Sequence, residues 1–444
     1  MGLQDLLLTP VYLALIVPFM FAIKLNYAKG SLGNYFLPAY FLKVIGSIAL
    51  GLIYFFYYRG GDTIQYFVDS TLMYKVFWED PELGFRFLFG SNATDKLTAF
   101  YGSQFTYFKD PPSYMVVRFS GTIGIFTLNT YTLNAIFFAT YSFFGCWRMY
   151  RAFVDQYPHL HKEFAYGFLY VPSLFFWGSG LMKDTITLGA LGFAYSGFYY
   201  GIIKGEKKIL NLIILAVSCW LLKETKIYIF LCFIPACLLW LFLIYKDKIK
   251  VKVIRNTVAP IIIAVFSLAG FYGMSEISRG TDYDLNNIAA EAKITSDYLR
   301  KISKEGASYD VGKLDGTFTG LLALAPNAIF ITLFRPFLWE INGPTMLLAA
   351  LENLIVLMLL IYTFYKVNFK DVLKTIRDNH FVIVGLFFAI PFSFFMGVAS
   401  GNFGTLVRYK IPMLPFFICS IMVILNSNGY TLFKKRKAPI KLIR

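Results

Sequence analysis

Long apolar runs separated by short polar segments recur along the whole chain and predict a bundle of membrane-spanning helices. Several runs reach roughly 18 to 22 residues, the length that an α-helix needs to cross about 30 Å of hydrocarbon. We therefore predict an all-α polytopic membrane protein with about 11 transmembrane helices. The predicted spans are 6–25, 36–58, 130–149, 164–182, 185–203, 208–222, 227–245, 257–274, 344–365, 380–398 and 409–426.

A first long polar segment interrupts the spans and forms a predicted outer loop at 59–129. Its last part, 113–129, is apolar, but it is short and holds Arg118. Counting it as a span would invert every later loop, so we predict a helix that lies in the membrane interface. Because no soluble domain separates from the spans, we treat 1–444 as a single integral membrane domain.

A second long polar segment, 275–340, forms the other predicted outer loop. Within it, 282–306 is charged and favours helix, which predicts an external helical pair. The stretch 318–338 is apolar but is broken by Pro326 and Pro336. Irregular backbone at membrane depth is tolerated where it is enclosed by protein or lines a cavity, so we predict a re-entrant segment there.

The composition agrees with a membrane protein. The chain is 57% hydrophobic and only 15% charged, whereas ordinary soluble domains are about a quarter charged. All five cysteines fall in apolar segments, which favours small core residues over a disulfide framework or a metal site.

The charges are distributed unevenly between long and short loops, and this predicts the orientation. Residues 59–112 hold seven acids against five bases and residues 275–340 hold nine against seven, whereas the short loops and the tail hold 23 Lys and Arg against six Asp and Glu. Cytoplasmic loops carry the excess of basic residues. Both long loops and the N-terminus are therefore predicted outside and the tail in the cytoplasm, and the net charge of +16 indicates topology rather than nucleic-acid binding.

Ionisable and aromatic side chains gather at the predicted outer ends of the spans. Ionisable groups held near hydrocarbon are costly and tend to be paired or functional. Structural roles also fit some of them, since Asp62 follows two glycines as in a turn and Asp184 suits a helix start. The candidates are Asp62, Tyr66, Trp177, Lys183, Asp184, Arg335, Trp339, Glu340 and Arg408.

These residue types suit a reaction on a phosphate-linked sugar. Lys183, Arg335 and Arg408 would bind a phosphate or pyrophosphate. Asp62 and Glu340 are the candidate catalytic carboxylates; Asp62 would act as a general base toward a sugar hydroxyl, or would bind a divalent metal. Aromatic faces suit sugar rings and the lipid interface. The predicted substrate-binding residues are Tyr66, Trp177, Asp184 and Trp339.

Two motifs resemble those of bacterial envelope polysaccharide polymerases and of GT-C-type glycosyltransferases that use lipid-linked sugars. The stretch GGDTIQYF is similar to their G-x-D-x-x-x-Y pattern, with Asp62 and Tyr66 at the matching positions. The stretch RYKIPMLPFF is similar to R-Y-x-x-P-x-x-P, beginning at Arg408.

The resemblance implies an enzyme in the bacterial inner membrane that acts outside the cytoplasm on a polyprenyl-linked saccharide, with membrane lipids and other envelope-assembly proteins as its partners. It implies no cofactor beyond a divalent metal at Asp62, and no nucleic acid. The outer loop with Asp62 follows the second span rather than the first, which favours a polymerase.

Two other classes of function remain open from the residues. The chain could be a transporter or flippase of lipid-linked sugars; transporters commonly show internal repeats and polar groups at the membrane midplane, and the sequence shows no repeat. It could also be a non-catalytic membrane subunit of an export or motility complex, in which the outer charges would be dispersed. Convergence of Asp62, Lys183, Arg335 and Arg408 on one cavity would favour the transferase.

Overall fold

The computed structural model describes residues 1–28, 30–90, 100–248, 288–302, 308–312, 316–341 and 343–433. Within these ranges the regular elements are helices, and the only β pairing is a single bridge between Ser308 and Asn402. Seven helices in this part of the chain are long and apolar enough to cross a membrane, or up to eight if a bent helix pair forms one span. The chain is therefore an all-α integral membrane protein, as predicted, while the count of eleven spans is not confirmed.

We number the helices in chain order. They are α1 (Leu3–Tyr27), α2 (Gly33–Leu52), α3 (Asp62–Glu79), α4 (Pro81–Phe89), α5 (Pro111–Thr127), α6 (Tyr131–Gln156), α7 (His161–Phe164), α8 (Pro172–Phe176), α9 (Lys183–Phe198), α10 (Lys208–Lys248), α11 (Ile288–Ile302), α12 (Phe318–Ala323), α13 (Ala325–Phe334), α14 (Pro344–Lys366), α15 (Phe369–Asp378), α16 (His380–Ala399), α17 (Phe403–Tyr409) and α18 (Leu414–Ser427). Three of them continue into π-helical turns, α2 through Ile53–Tyr58, α7 through Ala165–Leu169 and α9 through Tyr199–Ile203.

The helices divide into two compact units. The first comprises Met1–His161 and Leu169–Lys226, and the second comprises Lys162–Phe168 with the described residues that follow Lys226. The division falls within α10 at Lys226, whose φ of −143° and ψ of 80° are not helical. This division into two units does not test the prediction that residues 1–444 form a single membrane domain, which stays a prediction.

Several predicted spans coincide with long apolar helices. These are 6–25 in α1, 36–58 in α2 and its continuation, 185–203 in α9, 344–365 in α14, 380–398 in α16 and 409–426 in α17 and α18. The predicted spans 208–222 and 227–245 form the two parts of α10 on either side of Lys226. The predicted span 257–274 lies outside the described residues.

The predicted span 164–182 differs from the structure. It contains the last residue of α7, a π-helical segment, the short α8 and the non-helical residues 177–182. Proline lacks a backbone N–H and disfavours helix at the residue before it, so Pro172 can begin α8 but cannot continue the preceding helix. Gly178 then packs so closely that an added Cβ would lie 2.4 Å from Leu188.

The first predicted outer loop is built of helices. It contains α3, α4 and α5, and α5 packs against α3 with Tyr114, Val116 and Val117 buried. The helix predicted at 113–129 is therefore present as α5, and it meets α6 at a bend of 115°. Its place in the membrane interface stays a prediction.

The second predicted outer loop is described in part. The helical pair predicted at 282–306 has one described helix, α11, and its remainder lies outside the described residues. The predicted re-entrant stretch 318–338 is broken into α12 and α13, and α13 packs on α16, where Gly397 lies so close that an added Cβ would be 2.3 Å from the Ala328 carbonyl oxygen. The stretch is therefore two short helices in this structure, and its re-entrant place in a membrane stays a prediction.

Candidate functional site

A sharp backbone turn places Asp62 at the first residue of α3. Arg59 and Gly61 both have positive φ, 53° and 108°, and a Cβ on Gly61 would lie 2.7 Å from the Tyr54 ring. Glycine is required there because the conformation and the close packing both exclude a side chain. Asp62 is half-buried, and its carboxylate at a helix N-terminus is favoured by the helix dipole.

Tyr66 lies one turn further along α3 and is buried. Its hydroxyl is 3.4 Å from Ser113 Oγ, and its ring centroid is 4.8 Å from that of Tyr107. The ring that was predicted to face a sugar is therefore covered by protein in this structure, while its hydroxyl reaches the start of α5.

Ser113 joins side chains from three helices of the first unit. Lys183 Nζ, at the first residue of α9, donates a hydrogen bond of 2.9 Å to Ser113 Oγ. Ser113 Oγ in turn donates to Asp110 Oδ2 at 2.5 Å. We call Tyr66, Asp110, Ser113 and Lys183 the Ser113 cluster. It places an ammonium group close to the N-terminal ends of α3, α5 and α9.

Local sequence explains the two members that sequence reasoning missed. Asp110 precedes Pro111 and Pro112, and proline at the first helical positions is compatible with a helix start because the missing N–H has no helical partner there. Asp110 thus becomes the cap residue of α5, and Ser113 falls in its first turn. The motif Asp-Pro-Pro-Ser was the available signal, but its contact with Lys183 lies 70 residues away in sequence.

Asp184, which follows Lys183, is directed elsewhere. Its Oδ1 lies 2.5 Å from Lys226 Nζ, and the two side chains are 3% and 7% exposed. Asp184 was predicted to bind substrate, but in this structure it forms a buried ion pair with the residue at which α10 loses its helical geometry. Breaking such a pair is costly because an uncompensated charge stays buried.

Two buried groups shape the segment before Lys183. Trp177, predicted to bind substrate, is buried with its ring centroid 5.0 Å from that of Phe176. Lys43, inside α2, donates hydrogen bonds to Ser142 Oγ at 2.9 Å and to the carbonyls of Leu174 and Gly178 at 3.1 and 2.7 Å. Sequence reasoning missed Lys43, although a lysine within an apolar run is itself a signal.

In the second unit, Arg335 and Glu340 bind each other. Arg335 Nε lies 3.0 and 3.1 Å from the two Glu340 carboxylate oxygens, and Nη2 also donates to Oε1. Partial burial acts to raise the pKa of Glu340, but the hydrogen bonds from Arg335 and from the Phe337 N–H outweigh it and hold this pKa below its ordinary value. The predicted phosphate-binding cation is thus already bound to a carboxylate.

The other candidates of the second unit lie in different environments. Trp339 is 80% exposed and stacks on Phe337 with ring centroids 4.7 Å apart. Arg408 is half-buried in α17. Two residues on, Lys410 is fully buried and donates to Asn353 Oδ1 and to the Thr332 carbonyl at 3.3 Å. The structure describes each unit by itself, so convergence of all four predicted charges on one cavity stays a prediction.

The part of the chain that the structure describes holds no group of three or more His, Cys, Asp or Glu side chains arranged to bind a metal ion. The divalent metal suggested at Asp62 therefore stays a prediction.

Comparisons with known proteins found no match to this chain. No family model matches the chain, and no curated protein or solved structure matches it. The resemblance to polymerases and GT-C enzymes thus depends on the two short motifs, and a functional assignment depends on the chemistry of the residues described above.

Proposed function

We propose that the protein is a membrane-embedded glycosyltransferase or repeat-unit polymerase that uses polyprenyl-(pyro)phosphate-linked saccharides in cell-envelope polysaccharide assembly. In this proposal the reaction takes place at the extracytoplasmic face of a bacterial inner membrane. The N-terminus lies outside and the basic tail in the cytoplasm, because the short basic loops follow the positive-inside pattern.

The observation that carries the proposal is the Ser113 cluster. Its ammonium group, Lys183 Nζ, bonds a neutral hydroxyl rather than a carboxylate. It lies near helix N-termini, where backbone N–H groups and the helix dipole favour phosphate. A charge-assisted hydrogen bond from Lys183 to a pyrophosphate oxygen would stabilise the leaving group as its negative charge develops.

Asp62 supplies the proposed base. Asp62 and Tyr66 are four residues apart on α3 and therefore share a face of that helix, and the Tyr66 hydroxyl contacts Ser113. The carboxylate thus belongs to the same end of α3 as the cluster. There it would accept the proton of the attacking sugar hydroxyl while Lys183 compensates the departing phosphate.

The second unit contributes more limited roles to the proposal. Arg335 Nε already contacts both carboxylate oxygens of Glu340, so proton removal is assigned to Asp62. Arg408 is retained as a phosphate-binding cation. The exposed ring of Trp339 offers a flat apolar face for a sugar or for the lipid interface.

A transporter of lipid-linked sugars is the second candidate, and the buried charges favour it. Lys43 inside α2, Lys410 directly after α17 and the Asp184–Lys226 pair are all buried. Ionisable groups inside a membrane often mark ion or substrate pathways. In the glycosyltransferase these same groups would serve to fix the helices around the site.

The Asp62→Asn variant tests the proposal in cells of the source organism. Replacing the chromosomal gene should shorten the surface polysaccharide to single repeat units or abolish it, because the general base contributes roughly 10²- to 10⁴-fold to rate. The chain-length distribution is read on a gel, and protein abundance by immunoblot.

Glu82→Gln is the matched control, since Glu82 is an exposed carboxylate in the same predicted outer loop. It should leave polymer length unchanged. A polymer of normal length in cells that express the Asp62→Asn protein well would show that Asp62 is not the catalytic base. Loss of all surface sugar in cells, together with no glycosyl transfer by the purified wild-type protein, would favour the transporter.

A further inference from the structure

Helix α15 carries an apolar face beside three basic residues, and it also holds two exposed acids, Asp371 and Asp378. It follows the apolar helix α14 after a two-residue link, Val367 and Asn368, and its ten residues span only about 15 Å. Its apolar side chains recur at spacings of three and four and therefore form one face; they are Phe369, Val372, Leu373 and Ile376. Lys370, Lys374 and Arg377 lie beside that face.

Only half of the apolar face is covered by the protein. Val372 is buried where α15 packs against α16 and α18, and Asn428 Nδ2 donates a hydrogen bond of 3.1 Å to Thr375 Oγ1. By contrast, Phe369 is 62% and Leu373 50% exposed. The helix is thus held in place with two large apolar side chains and the adjoining cations directed away from its packing partners.

The end of α14 carries residue types that are typical of a membrane surface. The Lys366 ammonium lies 5.0, 5.9 and 6.0 Å from the ring centroids of Tyr365, Tyr362 and Tyr430. Tyrosines concentrate at the boundary between hydrocarbon and water, and lysines at helix ends extend toward the headgroups. A span that ends at these residues would place the start of α15 at the depth of the lipid headgroups.

We infer that α15 binds an anionic phospholipid surface. Phe369 and Leu373 enter the boundary of the acyl chains, and Lys366, Lys370 and Lys374 contact the lipid phosphates. Arg377 contributes less, because its Nε lies 2.8 Å from the carboxylate of Asp378. The partner follows from charge and depth together, since an exposed apolar pair flanked by cations matches a negatively charged interface. This inference does not depend on the proposed glycosyl transfer.

The test uses the full chain in detergent, titrated with phosphatidylglycerol or phosphatidylcholine, with bound lipids counted by native mass spectrometry. The wild-type protein should retain phosphatidylglycerol more tightly than phosphatidylcholine. Lys370→Gln/Lys374→Gln should weaken phosphatidylglycerol binding roughly fivefold for each lysine removed. Lys207→Gln/Lys208→Gln removes two exposed lysines from another basic loop and should have a smaller effect.

A second variant, Phe369→Ser/Leu373→Ser, removes the apolar contact and keeps every charge. It should lower retention of both lipids in proportion. Equal loss in the two lysine variants, or unchanged binding in all variants, would overturn the inference. So would a wild-type dimer that Phe369→Ser/Leu373→Ser separates into monomers, because a second copy of the chain would then cover this face.

Discussion

Lys183 in the first unit and Arg335 in the second were both predicted to bind phosphate, and the structure gives them different partners. Arg335 is held by both carboxylate oxygens of Glu340. Lys183 donates to the Ser113 hydroxyl, with the Asp110 carboxylate one hydrogen bond further away. A cation that is already bound to a carboxylate must give up that contact before it binds an anion, whereas Lys183 need not.

The difference comes from local backbone geometry. Glu340 follows Arg335 by five residues across a turn, which brings the two side chains together. The acid next to Lys183 in sequence is Asp184, but successive helical residues point in directions about 100° apart, and Asp184 contacts Lys226 instead. Position at the end of a span therefore does not decide whether a cation is compensated.

Breaking the Asp184–Lys226 pair should have the largest effect on stability. Asp184→Asn removes the carboxylate that Lys226 contacts in a buried site, so we expect a loss of about 3–5 kcal/mol in the free energy of unfolding. Thermal unfolding in detergent measures it. Asp110→Asn, at an exposed carboxylate, should cost about 1 kcal/mol or less; equal costs would show that Asp184 is not the buried partner.

The turn before Asp62 contains two adjacent glycines whose substitution should have a smaller effect on stability. Gly61→Ala places a side chain at a φ of 108° and against the Tyr54 ring, so it should destabilise the protein by more than about 1 kcal/mol. Gly60→Ala meets open space and should change stability by about 0.5 kcal/mol or less. The same unfolding assay compares the two variants. An unchanged stability of Gly61→Ala would mean that the turn does not determine where α3 begins.

The smallest effect is a pH dependence at Arg335–Glu340. The folded-state pKa of Glu340 is lowered, so its contribution to stability is present above the unfolded value of about 4.3 and is lost as pH falls through the folded value. The stability difference between wild type and Glu340→Gln should therefore shrink as the pH is lowered below about 4.3. A difference that stays constant through this range would mean that Glu340 does not bind Arg335 as a carboxylate.

The lengths of the apolar runs in the sequence predicted many of the helices, because crossing hydrocarbon requires long apolar helices. These lengths predicted the positions of α1, α2, α9, α14, α16 and α18. They did not predict the broken segment around Pro172, where the proline and the close packing of a glycine determine the backbone conformation. The site was less predictable. Lys183 and Asp62 were singled out from their position at predicted span ends, and their roles stay predictions. The contacts of Lys183 with Ser113 and of Asp184 with Lys226 join residues 70 and 42 positions apart, so local sequence did not predict them.

Glycosyl transfer by the purified protein in proteoliposomes tests the central claim most directly. With a labelled polyprenyl-pyrophosphate saccharide supplied, Lys183→Gln should lower turnover about 10²- to 10³-fold. The neutral pair Arg335→Gln/Glu340→Gln should lower it less than about tenfold, because that cation is already compensated. The opposite order, or wild-type protein without transfer, would contradict the account.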